Sequence, residues 1–256
     1  MSNFKIAWMF PDTLFLHGER GNLLALERFA RMAGFDPLTD KIDLDSKAFN
    51  PEDYQVIFFG PGEISAFPLV METMDGYKDA LKAYVDTGRP MIVSGTSVGM
   101  FCKSILRSSG EKMDCLGFID AEYIENEKVY GDDIFFNAKY RGKEMEIIGN
   151  QIQMGDLILG SEKAFGQLRY GYGNTGKALD EGAIKQNSIF TNTLGPMLIC
   201  NPWLTIEIIK QAAETSGLKA DESALDSFDD SLERASLKTK AEFIKNKETH
   251  LKNCSL

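Results

Sequence analysis

At 256 residues the chain is long enough to bury about three quarters of its unfolded surface, so a core needs neither disulfides nor structural metal. A formal charge of −10, without a long basic run, argues against nucleic acid or an anionic membrane as partner. The four cysteines contain no CxxC pair, and no apolar run reaches membrane-spanning length. A cytoplasmic protein without metal or cofactor is the expectation.

Phe4–Phe10 reads as a first buried strand, ended by Pro11. A polar loop follows with Asp12, His17, Glu19 and Arg20, and Asn22 is placed to cap the next helix. That helix carries Leu23, Leu26, Phe29, Ala30 and Ala33 at helical spacing and stops at Gly34. Residues 37–44 suit an edge strand. Val56–Phe59 is a second buried strand, closed by Gly60-Pro61-Gly62-Glu63, a tight loop at the end of the sheet where open α/β folds bind ligands. A helix is predicted over 65–87, with Gly88 as its stop.

Pro90-Met91-Ile92-Val93-Ser94-Gly95-Thr96-Ser97-Val98-Gly99-Met100 then reads as a strand breaking into a helix through a nucleophile elbow. In such an elbow Ser97 would sit strained and exposed above the sheet, with the amide of Val98 facing a developing oxyanion. Gly60 and Gly62 could supply further oxyanion or ligand contacts, and His17, Glu63 and Gln153 are polar candidates for the cleft. An ordinary strand-turn-helix corner would produce the same pattern.

After Cys115 the texture becomes β-rich, with short hairpin-like runs at 118–122, 128–130, 134–140, 144–148 and 166–170. Ser188–Thr193 reads as a further sheet strand, and Asn201-Pro202 opens a helix ending at Gly217. Residues 220–247 are charged and amphipathic, with stripes at Leu225, Phe228 and Leu232 and at Leu237, Ala241 and Ile244. They form either a helix packed on its own domain or an appendage that binds a partner. The fold class is α/β: a three-layer, flavodoxin-like sheet of mostly parallel strands, a β-rich second half and a C-terminal helical appendage. The division is 1–217 for the domain and 218–256 for the amphipathic tail.

In their order these segments resemble class I glutamine amidotransferase domains of the cobyric-acid-synthase type, including the glutaminase subunits of lipid II isoglutaminyl synthases. The similar segments are His17-Gly18-Glu19-Arg20-Gly21-Asn22, Phe58–Glu63, the elbow, Tyr170-Gly171-Tyr172-Gly173-Asn174, Leu194-Gly195-Pro196 with Asn201-Pro202, and Ser236–Phe243. The resemblance implies a role in peptidoglycan amidation, a Mur-ligase-like synthetase as partner, and glutamine or another small amide as ligand. The departures from the family pattern fall on its site. Ser97 stands where the family has its nucleophilic Cys, and Leu194 where it has the general-base His. Gln153 and Asp156 stand in the Asn-His-x-Gly-Arg segment, and Phe101 replaces a usual Gln.

A serine hydroxyl attacks only when a base takes its proton, and Leu194 has no proton acceptor. The expectation is therefore an amidotransferase-like subunit inert toward glutamine, serving as a structural or regulatory partner. Two alternatives stand beside it. A serine hydrolase or amidase would use Ser97 with a non-standard base, His17 being the candidate. An active glutaminase in which Ser97 replaces an original Cys by engineering would leave Leu194, Gln153 and Asp156 unaccounted for.

Overall fold

The computed structural model describes residues 2–46 and 49–254, with side chains to residue 247. The first half alternates strand and helix: β1 (Asn3–Met9), α1 (Arg20–Met32), β2 (Asp36–Ile42), β3 (Val56–Phe59), α2 (Phe67–Met74), α3 (Lys78–Asp86), β4 (Met91–Ser94) and α4 (Val98–Phe101). The second half holds β5 (Ser104–Leu106), β6 (Lys112–Asp114), β7 (Ala121–Tyr140), β8 (Lys143–Leu159), β9 (Gly166–Tyr170), β10 (Asp180–Glu181), β11 (Ala183–Lys185), β12 (Ser188–Thr191) and β13 (Thr193–Leu194). Helices α5 (Met197–Cys200), α6 (Pro202–Thr215), α7 (Glu222–Asp226) and α8 (Ser231–Cys254) complete the chain.

Two sheets result. The first runs β11-β12-β4-β3-β1-β2, parallel except for the β11–β12 pair, and its strands β3, β4 and β12 are buried throughout. Such strands read as continuous apolar runs because helices or a second sheet cover both faces. The second sheet is built on the antiparallel β7–β8 pair: β8 lines one edge of β7, and the other edge carries β5 with β6 at its start and β9 with β10 near its end. The mostly parallel α/β sheet with a β-rich second half is as expected.

Several local expectations need correction. The run 118–148 is not a set of short hairpins: β7 and β8 are single strands of 20 and 17 residues, interrupted by a register shift between Glu125 and Tyr130. Residues 127–131 are exposed in succession around that shift, so the polarity there marks an open stretch within a long strand and not its end. The helix over 65–87 is two helices parted at Asp75–Tyr77, around Gly76. The helix after the elbow is a single turn. Asn22 lies inside α1 instead of capping it; its side chain donates from Nδ2 to Glu19 Oε2 (2.6 Å) and accepts at Oδ1 from the Leu198 amide (2.8 Å).

The C-terminal segment packs back on the domain. Leu225, Leu237 and Ile244 are buried in the same cluster as Phe29 and Ile208. The guanidinium of Arg234 lies 3.9 Å above the Trp203 ring, and that of Arg28 lies 5.0 Å from the Phe228 ring. Lys240 Nζ donates to the Gly149 carbonyl (2.8 Å) and pairs with Asp133 (2.9 Å), while Lys247 reaches both oxygens of Asp132 (2.7 and 2.8 Å). His250 and Cys254 lie beyond the described side chains. Among the described residues no helix is long and apolar enough to cross a membrane.

The chain leaves the first sheet at Thr191, paired with Ser94, and enters the second at Thr193, paired with Gln151. Fully buried Glu181 holds this crossing. Its Oε1 accepts from the hydroxyls of Thr191 and Thr193 (the latter at 2.8 Å) and from the Asn192 amide (3.1 Å). Glu181→Ala would strand three donors at roughly 1–3 kcal/mol each, so urea unfolding should register a loss of about 3 kcal/mol or more. Glu181→Gln, which keeps the accepting oxygen, should lose about 1 kcal/mol or less in the same measurement.

Candidate functional site

The elbow is built by a backbone that turns where a side chain cannot fit. Gly95 adopts φ 63°, and a Cβ there would stand 2.8 Å from Pro61 Cβ and 3.3 Å from the Leu194 side chain. The strain expected at Ser97 therefore sits at Gly95. Ser97 itself has ordinary right-handed angles (φ −61°, ψ −18°), and its side chain is fully buried instead of exposed.

The Ser97 hydroxyl donates to the Gly60 carbonyl at 2.6 Å. The amides expected at an oxyanion are engaged elsewhere. The Gly62 N–H donates to Thr96 Oγ1 (3.1 Å), whose own hydroxyl donates back to the Gly62 carbonyl (2.6 Å). The Val98 N–H closes the turn on the carbonyls of Gly95 and Thr96. A Cβ on Gly60 would stand 2.7 Å from the Leu14 carbonyl oxygen, so the loop after β1 lies directly on this glycine. Leu16 N–H bonds the Pro61 carbonyl (3.0 Å) and ties the same two loops together.

Of the other candidates, Leu194 is brought to the elbow: it is buried and packs against Gly95. His17 is not. It is exposed on the loop after β1, with φ 61°, and among the described residues it makes no hydrogen bond to Ser97. Glu63 is also exposed, ahead of the turn Ile64–Ala66. Gln153 is buried and fully engaged. Its Nε2 donates to Asp156 Oδ1 (2.8 Å) and to the Asn174 carbonyl (3.2 Å), and its Oε1 accepts from Gln151 Nε2 (2.8 Å). Phe101 is a core ring, 4.9 Å from Phe59 and 5.2 Å from Phe118. Cys102 is buried beside it, and burial pushes its thiol far up, away from the reactive thiolate. Among the described residues no cluster of three or more His, Cys, Asp or Glu offers a metal site.

Sequence reasoning missed two groups. Gln151 accepts at Oε1 from the Tyr172 and Gly173 amides (both 3.1 Å) and organises the Tyr170–Asn174 loop. The expected strand ends at residue 148, so no local pattern announced it. Glu19 was noted as a loop residue but not as a buried one. Its Oε1 accepts from the Gly195 amide (2.9 Å), fixing the segment just after Leu194, and Asn22 holds its Oε2.

Burial, partly opposed by those two hydrogen bonds, pushes the Glu19 carboxyl from its usual 4.5 up to about 7. The unfolded chain thus releases this proton near pH 4.5 and the folded chain near pH 7. The stability contributed is present in full below about 4.5 and is lost as pH rises through about 7. The stability of the wild-type chain relative to Glu19→Gln should therefore fall by up to about 3 kcal/mol over that window, read from denaturant curves at each pH.

Comparison with known proteins accords with this geometry. The GatD subunit of the glutamine-hydrolyzing lipid II isoglutaminyl synthase of Streptococcus pneumoniae is 22% identical over 253 residues, covering 93% of each chain. The structure of PurLQS from Thermotoga maritima superposes with a TM-score of 0.51 at 11% identity, covering 84% of this chain and 98% of the other, a likeness of fold. A family model for the CobB/CobQ-like glutamine amidotransferase domain matches residues 5–196, three quarters of the sequence, and with the parallel sheet, the elbow and the late Gly-Pro segment in place the chain belongs to that family.

Proposed function

We propose that this chain is an amidotransferase-like subunit of peptidoglycan amidation that keeps the family frame without glutaminase chemistry, and serves a Mur-ligase-like synthetase as a structural or regulatory partner. The observation that carries this reading is the state of Ser97: fully buried, its hydroxyl donating to the Gly60 carbonyl, with Leu194 packed on the same turn and, among the described residues, no imidazole bonded to it. A backbone carbonyl is far too weak a base to generate an alkoxide. The loss of nucleophile or base typically costs on the order of 10^6 in turnover. Gln153 bonded to Asp156, in the segment where family members carry His and Arg, supports the same conclusion. The pathway and the partner rest on the similarity to the pneumococcal GatD subunit across nearly the whole chain.

A serine hydrolase served by His17 is less well supported, since that imidazole is exposed and the Ser97 hydroxyl is committed elsewhere. An engineered Cys replacement would alter Ser97 alone and leave Leu194 without a function as base.

Purified protein should release no ammonia from glutamine above background, and Ser97→Cys alone should not change this, because the base is still missing. Ammonia release that Ser97→Ala abolishes would overturn the reading. Labelling of Ser97 by a fluorophosphonate, lost in His17→Ala, would favour the hydrolase. A Mur-ligase-like protein recovered with the tagged chain from its native host is the expected result for the partner.

A further inference from the structure

A second cleft opens at the same end of the sheet, one strand away from the elbow. β1 crosses through α1 to β2 on one side, whereas β3 lies on its other side, so the topological switch point of the sheet falls between β1 and β3. Open α/β sheets bind ligands outside the strand ends at this position. Here a cleft of about 200 Å³ is lined by Trp8, Leu14, Phe15, Glu19, Arg20 and Gly60. Gly60 is the wall between this cleft and the elbow, since its carbonyl faces Ser97.

The lining has the features of a recognition site. Glu19 is buried at 2% exposure, and each of its oxygens accepts one hydrogen bond. Above about pH 7, where this buried carboxyl ionises, its roughly four lone-pair positions leave acceptor capacity over. Arg20, next in the chain, is exposed and makes no ion pair or hydrogen bond among the described residues. Trp8 contributes a partly buried ring, and Phe15 stands 63% exposed beside it. Among the described residues, two of the four non-glycine positions with positive φ, Phe10 (51°) and His17 (61°), fall on the loop that forms this cleft. Left-handed backbone at a bulky residue persists only where surrounding structure enforces it, and it concentrates at ligand sites.

We propose that this cleft binds a small zwitterion of amino-acid size, its ammonium directed to Glu19 and its carboxylate to Arg20. The size follows from the volume. At ~30 Å³ per water-sized atom the cleft holds about seven non-hydrogen atoms, the range of glycine to serine. The charges follow from the pair of adjacent side chains. A free guanidinium at the mouth matches a carboxylate, and a buried carboxylate inside matches an N–H donor. This site is independent of the elbow and of whether glutamine is hydrolysed there.

The test is a titration of the full chain at pH 8, where Glu19 is ionised, with glycine, L-alanine, L-serine and β-alanine, followed by backbone amide NMR shifts. Propionate and ethylammonium serve as probes carrying one charge each. At least one zwitterion should give saturable shifts confined to Trp8, Gly18–Arg20 and Gly60, and should bind at least tenfold more tightly than either half-ligand. Arg20→Ala, at an exposed position, should keep the wild-type melting temperature and weaken binding at least tenfold; Glu19→Gln should weaken it as well. The absence of saturable shifts with every zwitterion, half-ligands binding as tightly as zwitterions, or undiminished binding in Arg20→Ala would each overturn the proposal.

Discussion

The passage of the chain between its two sheets is the constraint on which the rest of the molecule depends. Thr191 ends a strand of the first sheet and Thr193 begins one of the second, so a single residue, Asn192, spans the junction. A crossing this short leaves polar groups with nowhere to turn but inward, and buried polar groups must be bonded. Two carboxylates meet that need. Glu181 gathers the two threonine hydroxyls and the Asn192 amide from beneath, and Glu19 takes the Gly195 amide three residues later. Burial pushes both carboxyls up, which reflects the low polarity of the junction they hold together.

The same junction delivers Leu194 to Gly95, and this decides the character of the elbow. Leu194 and Pro61 close on the glycine from two sides, the loop around Leu14 lies on Gly60, and Ser97 is sealed between them. In a catalytic elbow the amides after the turn point at substrate. Here the Gly62 and Val98 amides bond within the protein, as does the Ser97 hydroxyl. The Ser97 hydroxyl is spent on Gly60, Leu194 offers no polar atom, and Gln153 and Asp156 bond each other, leaving few polar groups for a reacting amide. The free polar capacity at this end of the sheet lies one strand over, at Glu19 and Arg20.

The C-terminal helix reinforces this arrangement from outside. Lys240 bonds the carbonyl of Gly149, and a Cβ at Gly149 would stand 2.6 Å from the Leu194 carbonyl oxygen, so the helix grips the part of β8 that touches the late segment. Cations over aromatic rings, Arg234 on Trp203 and Arg28 on Phe228, hold the start of the helix to α6 and α1. The thin apolar stripe of this helix is thus supplemented by long side chains whose stems pack and whose charges find specific acceptors.

The sequence by itself determined the parallel sheet, the order of its early elements and the location of the elbow. Continuous apolar runs such as Val56–Phe59 and Met91–Val93, punctuated by glycines, have one economical packing, and that information is local. That Leu194 offers no proton acceptor was legible too, because a hydrocarbon side chain cannot accept a proton in any environment. Only the tertiary structure decided that Ser97 faces inward, that Gly95 carries the turn, that β7 and β8 are long strands, and that Glu19 and Glu181 are core residues. Each of these depends on what segments distant in sequence bring alongside: the Leu14 loop onto Gly60, Gly195 onto Glu19, Thr193 onto Gln151. A carboxylate in a loop reads as solvated until the chain folds over it, and no spacing within the loop announces the partner that arrives 176 residues later.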